Sequence, residues 1–142
     1  MIKKIFAQLD KLTDIPLLAM RLVLAYGFYV TVQPKIEDID NTIGWFEKLG
    51  IPMPALNAYM ATATEVAGVI LLTFGLFTRY ITVPLIITMI VAIATVHWGN
   101  GFEGGSNNGF EIPLYYIIML FTLLINGSGK ISVDHFLASR KS

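Results

Sequence analysis

The 142-residue sequence has no cysteine. That excludes thiol–disulfide exchange, Cys-ligated iron–sulfur clusters and structural Cys zinc sites within this chain. Charge is scarce as well. Only 14% of residues are Asp, Glu, Lys or Arg, against about 25% in an average soluble domain. Hydrophobic residues make up 55%, and they gather in a few long segments. One membrane domain over residues 1–142 is the expectation. Ten basic residues balance ten acidic ones, which leaves no basic footprint for nucleic acid. There is no phosphate loop, hydrolase elbow or HExxH signature.

Four segments are apolar enough to span: Ile15–Val32, Pro54–Phe77, Ile81–Trp98 and Glu111–Asn126. As helices the first and third cover ~27 Å, the second ~36 Å and the fourth only ~24 Å, against a hydrocarbon core of ~30 Å. Pro16, Pro54, Pro84 and Pro113 are expected in or near a first turn, where a missing amide hydrogen costs little. Pro34 is expected to close the first span, with no proline interrupting a span's interior. Lys3 and Lys4 ahead of an apolar stretch resemble a signal peptide. That stretch contains Arg21 and has no small-residue cleavage motif, so it reads as the first span.

Lys3, Lys4, Lys11, Arg79, Lys130, Arg140 and Lys141 fall on the side with both termini, and only Lys35 and Lys48 fall opposite. The positive-inside rule then predicts cytoplasmic termini and two external loops. In the first loop, Thr42–Gly50 predicts a short interfacial helix with Trp45 and Phe46 on its apolar side. The second, Gly99–Gly109, is rich in Gly and Asn and reads as a connector or a flexible lid. Ile131–Leu137 is expected along the inner surface. The fold expected is an all-α polytopic membrane protein, four transmembrane helices in an up-down bundle.

Glu65 is the only acidic or basic side chain between Ile51 and Phe77. A charge at that depth faces a partner, a cavity or a ligand. Arg21, itself within a span, is the expected partner, since a guanidinium fork suits a carboxylate. The pair reads either as a structural lock or as the lining of a pocket that binds a polar headgroup or moves protons. Ala61, Gly68 and Gly75 offer small residues for close helix approach. A second cluster of Lys35, His97 and Glu111 lies near the outer face. It reads either as ordinary capping and anchoring or as a headgroup and proton site. His97 and His135 are predicted on opposite sides of the membrane and cannot share a metal or haem. Tyr115 and Tyr116 read as interface aromatics.

The ordered motifs are RLVL from Arg21, then Phe28 and Lys35, EVAGVILLTFGLFTR from Glu65 to Arg79, Met89 with Ala92, and His97. NGFE from Asn108 with Pro113, and GSGKISVD from Gly127 to Asp134, complete the set. Over about Leu17–Asp134 the chain resembles the DoxX family of small four-helix bacterial membrane proteins. Family members often carry glycine near the positions of Ala25 and Val32, and this chain does not. The family takes its name from a subunit of an archaeal thiosulfate:quinone oxidoreductase. The resemblance implies an accessory subunit supporting quinone-linked redox chemistry, with a quinone as the candidate cofactor. Arg21 and Glu65 would form its intramembrane site, with Lys35, His97 and Glu111 at the outer mouth. Membrane lipid and redox or maturation proteins would be its partners, with homo-oligomerisation left open. The alternatives are a non-enzymatic scaffold or assembly factor, and a small lipid- or solute-binding transporter. Arg79 is expected to anchor the cytoplasmic turn, and Asp134 to make a local turn or cap.

Overall fold

A computed structural model describes residues 1–141. The chain is all-helical, with no strand among those residues. In order come α1 (Ile2–Asp10), α2 (Asp14–Glu37), α3 (Ile39–Lys48), α4 (Pro54–Phe74), α5 (Thr78–Ala92), α6 (Glu111–Asn126) and α7 (Val133–Lys141). A π-helical turn over Ile93–His97 and a 3₁₀ turn over Trp98–Asn100 prolong α5. Helices α2, α4 and prolonged α5, of 24, 21 and 23 residues, are long and apolar enough to cross a membrane, and α6 is a shorter apolar fourth.

The four long helices close a ring: α2 packs on α4 and α6, and α5 on α4 and α6, while α3 bridges α2 and α4. Leu17, Leu24, Phe28, Leu72, Leu85, Leu120 and Leu123 fill the centre. The outer faces are apolar too. Val23, Tyr26, Ile70, Ile87, Ile90, Ile118 and Phe121 are all exposed. A water-soluble bundle would not show such a belt on every helix, whereas lipid contact requires it. The protein is an integral membrane four-helix bundle.

Two proline expectations are overturned. Pro34 lies inside α2, which runs on to Glu37. In a last turn the ring costs one amide bond, and the Pro34 carbonyl still accepts from the Asp38 amide at 3.1 Å. The extension places Lys35 on a rigid helix. Pro84 is also interior, because α5 starts at Thr78 and not at Ile81. The early start has a cause far away in sequence. Asp134 accepts from the amides of Phe77 (2.7 Å) and Thr78 (3.1 Å), satisfying donors that a helix start leaves open. Asp134 is therefore a long-range cap and not a local one. At the same turn α4 ends at Phe74, three residues early, because Gly75 adopts the left-handed conformation (φ 70°).

The expected interfacial helix is α3, with Phe46 buried and Trp45 half out and its N-terminus capped by Asp38. The second loop is ordered. Backbone bonds from Gly109 to Glu103, Phe110 to Gly101 and Glu111 to Phe102 fold it back on itself. Phe110 stacks on Trp98 with centroids 5.2 Å apart and meets Phe102 edge-on. This aromatic cluster adds apolar height above the short α6. Residues 2–10 form a helix that the hydropathy reading passes over. It buries nothing and sorts Ile2, Ile5, Phe6 and Leu9 from Lys3, Lys4 and Gln8 at helical spacing.

Candidate functional site

Charged side chains gather at the end of the bundle with both termini and again near its middle. At the end with both termini, Arg21 is 1% exposed. Its guanidinium donates to the Leu72 carbonyl at 3.2 Å and to the Ile131 carbonyl. The first is one of the last-turn carbonyls of α4, where a cation is also favoured by the helix dipole. Gly75 makes room, since a Cβ there would strike the guanidinium and Ser132. Arg79 works similarly, donating to Ile125 at the end of α6 (3.0 Å). The Asp134 amide in turn donates to the Gly75 carbonyl (3.0 Å). Arg21 thus fastens α2 to the end of α4 and to the segment entering α7.

Glu65 lies elsewhere, and the expected Arg21–Glu65 pair does not form. Leu72 follows Glu65 by seven residues, ~10 Å along α4. Glu65 instead pairs with Lys35, whose Nζ donates to both carboxylate oxygens at 2.8 Å. Among the described residues no other ammonium or guanidinium comes within 4 Å of a carboxylate. The Glu65 side chain is 2% exposed and that of Lys35 is 17% exposed. Sequence reading assigned Lys35 to the outer mouth because Pro34 was expected to end the helix. With α2 continuing past Pro34, the ammonium is carried inward.

The pair floors a cavity of about 1050 Å³ in the far half of the bundle. That is at the upper limit of ordinary small-molecule sites, ~300–1,000 Å³. Its walls are α2, α4 and α5 with Tyr116 of α6. Trp45 and Phe46 of α3 roof it, along with Gly104 and Asn108 of the second loop. His97 lines its outer end, its Nδ1 lying 2.8 Å from the Asn108 carbonyl. A carbonyl can only accept, so Nδ1 carries hydrogen, and in the neutral ring Nε2 is left as an acceptor. Thr31 and Thr88 also line the cavity and donate their hydroxyls to the carbonyls of Phe28 and Pro84. Their oxygens remain able to accept.

Of the five expected site residues, Lys35, Glu65 and His97 share this cavity, and Arg21 and Glu111 are not among its lining residues. Glu111 is occupied with its own loop. It accepts from the Gly104 amide and the Tyr115 hydroxyl, both at 3.1 Å. Trp45, Phe46, Thr88 and Asn108 were not anticipated as wall residues. Of these the α3 aromatics read as membrane anchors and Asn108 as part of the NGFE motif in a connector or lid, while Thr88 gave no signal. His97 and His135 do lie at opposite ends, each lining a different cavity.

The DoxX family model matches residues 16–98, a stretch that contains Lys35, Glu65 and His97. The chain belongs to the DoxX family. Relatives in this family are similar along most of their length. CatD of Bacillus subtilis (strain 168), provisionally named an oxidoreductase, is 29% identical over 94% of this chain and 95% of its own. The inner membrane protein YphA of Escherichia coli (strain K12) is 34% identical over 83% and 87%. An uncharacterised Haemophilus influenzae protein is 30% identical over 86% and 83%. No solved structure matches the chain significantly.

Proposed function

We propose that this DoxX-family membrane protein receives the ring headgroup of a quinone in its far-end cavity and acts as the membrane component of a quinone-linked redox system. The observation that carries the reading is the Lys35–Glu65 pair at the floor of a large, mostly apolar-walled cavity. A buried pair with both partners fully engaged would be a lock. Here the Lys35 ammonium has three N–H groups, and two are directed at Glu65. The third is free to donate to a ligand oxygen. The oxidoreductase designation of CatD points the same way.

Reducing a quinone to its hydroquinone takes two electrons and two protons. The electrons reach the ring from a partner redox protein. The chain supplies position: Lys35 donates a hydrogen bond to one ring oxygen and Glu65 holds the ammonium in place, while both protons are drawn from water, one to each ring oxygen. The Lys and Arg count orients both termini to the cytoplasm, so the cavity serves the opposite face of the membrane.

The test uses purified full-length protein in detergent, titrated with 2,3-dimethoxy-5-methyl-1,4-benzoquinone while following tryptophan fluorescence, because Trp45 lines the cavity. Glu65→Gln should weaken binding at least tenfold while thermal unfolding confirms that it remains folded. Identical titration curves for the folded variant and wild type would overturn the proposal.

A further inference from the structure

Helices α4 and α5 run antiparallel and touch closely near the Gly75 turn. A Cβ on Gly68 would lie 2.9 Å from Leu85 Cδ1. Carrying that register one and two turns further pairs Thr64 with Thr88 and Ala61 with Ala92. None of these four seals the helix–helix seam. All line the cavity. The seam is therefore open where small side chains face each other, and cavity takes the place of packing.

The opening faces the membrane. Met60 on α4 and Ile87 and Val91 on α5 line the cavity and are also 56%, 57% and 42% exposed on the surface of the bundle. At the far end Trp45 and Asn108 line the cavity and are exposed as well, but the segments that carry them are held in place. Phe46 of α3 is buried, and the second loop is fastened by the His97–Asn108 and Asn100–Asn108 bonds. The space thus has a charged floor, a polar and aromatic roof, and an apolar side facing lipid.

From this we infer that the α4–α5 gap is a lateral portal, and that the ligand is an amphiphile arriving from the bilayer. Its polar head rests on Lys35–Glu65, and its hydrocarbon chain lies between Ala61 and Ala92 and out among Met60, Ile87 and Val91. The inference deepens the proposed function and rests on it, because it takes the cavity as the headgroup site. It assigns the ligand's class by how it enters: a lipid-soluble molecule, not a water-soluble solute.

The experiment compares two probes on the full-length protein: 2,3-dimethoxy-5-methyl-1,4-benzoquinone, and the same ring with a decyl chain. The quantity read is the ratio of their dissociation constants. Free probe concentrations are corrected for uptake into detergent, measured without protein, so both the wild-type ratio and its change between variants report the gap. Wild type should favour the decyl probe at least tenfold. Ala61→Phe and Ala92→Phe, which fill the gap from either side, should each lower that ratio several-fold. Where a Phe variant does not fold, Ala61→Leu makes the same test more mildly. A ratio unchanged by gap filling, or a wild-type preference for the ring alone, would overturn the portal and leave the headgroup reading standing. Failure of both probes to bind wild type would overturn both.

Discussion

Arg21 and Glu65 look alike in sequence and differ in the fold. Each is a charge inside an apolar run, and each is 1% exposed. Arg21 is enclosed by backbone: the Leu72 and Ile131 carbonyls take its terminal nitrogens, and it does not line the large cavity. Glu65 is held by another side chain whose donors are not all engaged, and both face open space. Burial of a charge therefore does not by itself distinguish a lock from a site. Spare donors exist at both, since Arg21 Nε is buried without a partner; what separates them is whether that capacity borders a volume that a ligand could fill.

The lock should show the larger effect on stability. Arg21→Met keeps the bulk of the side chain, strands the buried Leu72 carbonyl at the end of α4 and leaves the part-buried Ile131 carbonyl without its donor. At roughly 1–3 kcal/mol for each unsatisfied group, a loss of about 3 kcal/mol is expected. The measurement is thermal or denaturant unfolding in detergent. Quinone binding by the fraction still folded should match wild type. If Arg21→Met instead abolished binding with little loss of stability, the two centres would have to exchange roles.

The difference between the centres also explains how much was legible in the sequence. The spans were readable because lipid imposes length and hydropathy on every helix, and α3 because Trp45 and Phe46 sit beside turn signals. The pairing was not readable. It turned on whether Pro34 stops α2, and a proline in a last turn is tolerated at small cost. Had α2 ended there, Lys35 would have been a loop residue free to reach water. The start of α5 was hidden for a related reason: its cap, Asp134, comes from a segment 56 residues later. Charges within spans could be located by depth, but their partners depended on helix ends, the least determined feature of the pattern.

The site should show the opposite balance. Replacing the whole pair, Lys35→Met with Glu65→Leu, removes the buried carboxylate together with its part-buried ammonium and leaves neither charge stranded. Such swaps are commonly neutral or stabilising by 1–4 kcal/mol, so unfolding stability should hold within about 1 kcal/mol of wild type or rise. Binding of the dimethoxy-methyl benzoquinone should fall at least tenfold. The single variants sharpen the contrast, since each leaves an unpaired charge and should be less stable than the double one. A double variant that lost stability as severely as Arg21→Met would mean that the Lys35–Glu65 pair is a second lock.

The smallest effect is expected at Glu111, and it tests where the site ends. Sequence reading placed this carboxylate at the cavity mouth with His97, whereas the fold turns it toward the Gly104 amide and the Tyr115 hydroxyl. Glu111→Gln preserves shape and one acceptor oxygen. It can keep one of the two bonds with its carbonyl, and the amide group can meet the Tyr115 oxygen as a donor after the hydroxyl hydrogen rotates. The stability change should therefore stay within about 0.5 kcal/mol, as for most surface substitutions. Quinone affinity should be unchanged within twofold. A marked loss of affinity at preserved stability would bring Glu111 into the binding site through the loop that it pins. His97, held to the same loop by Asn108, would then act with it, and the boundary between binding floor and structural roof would have to move outward.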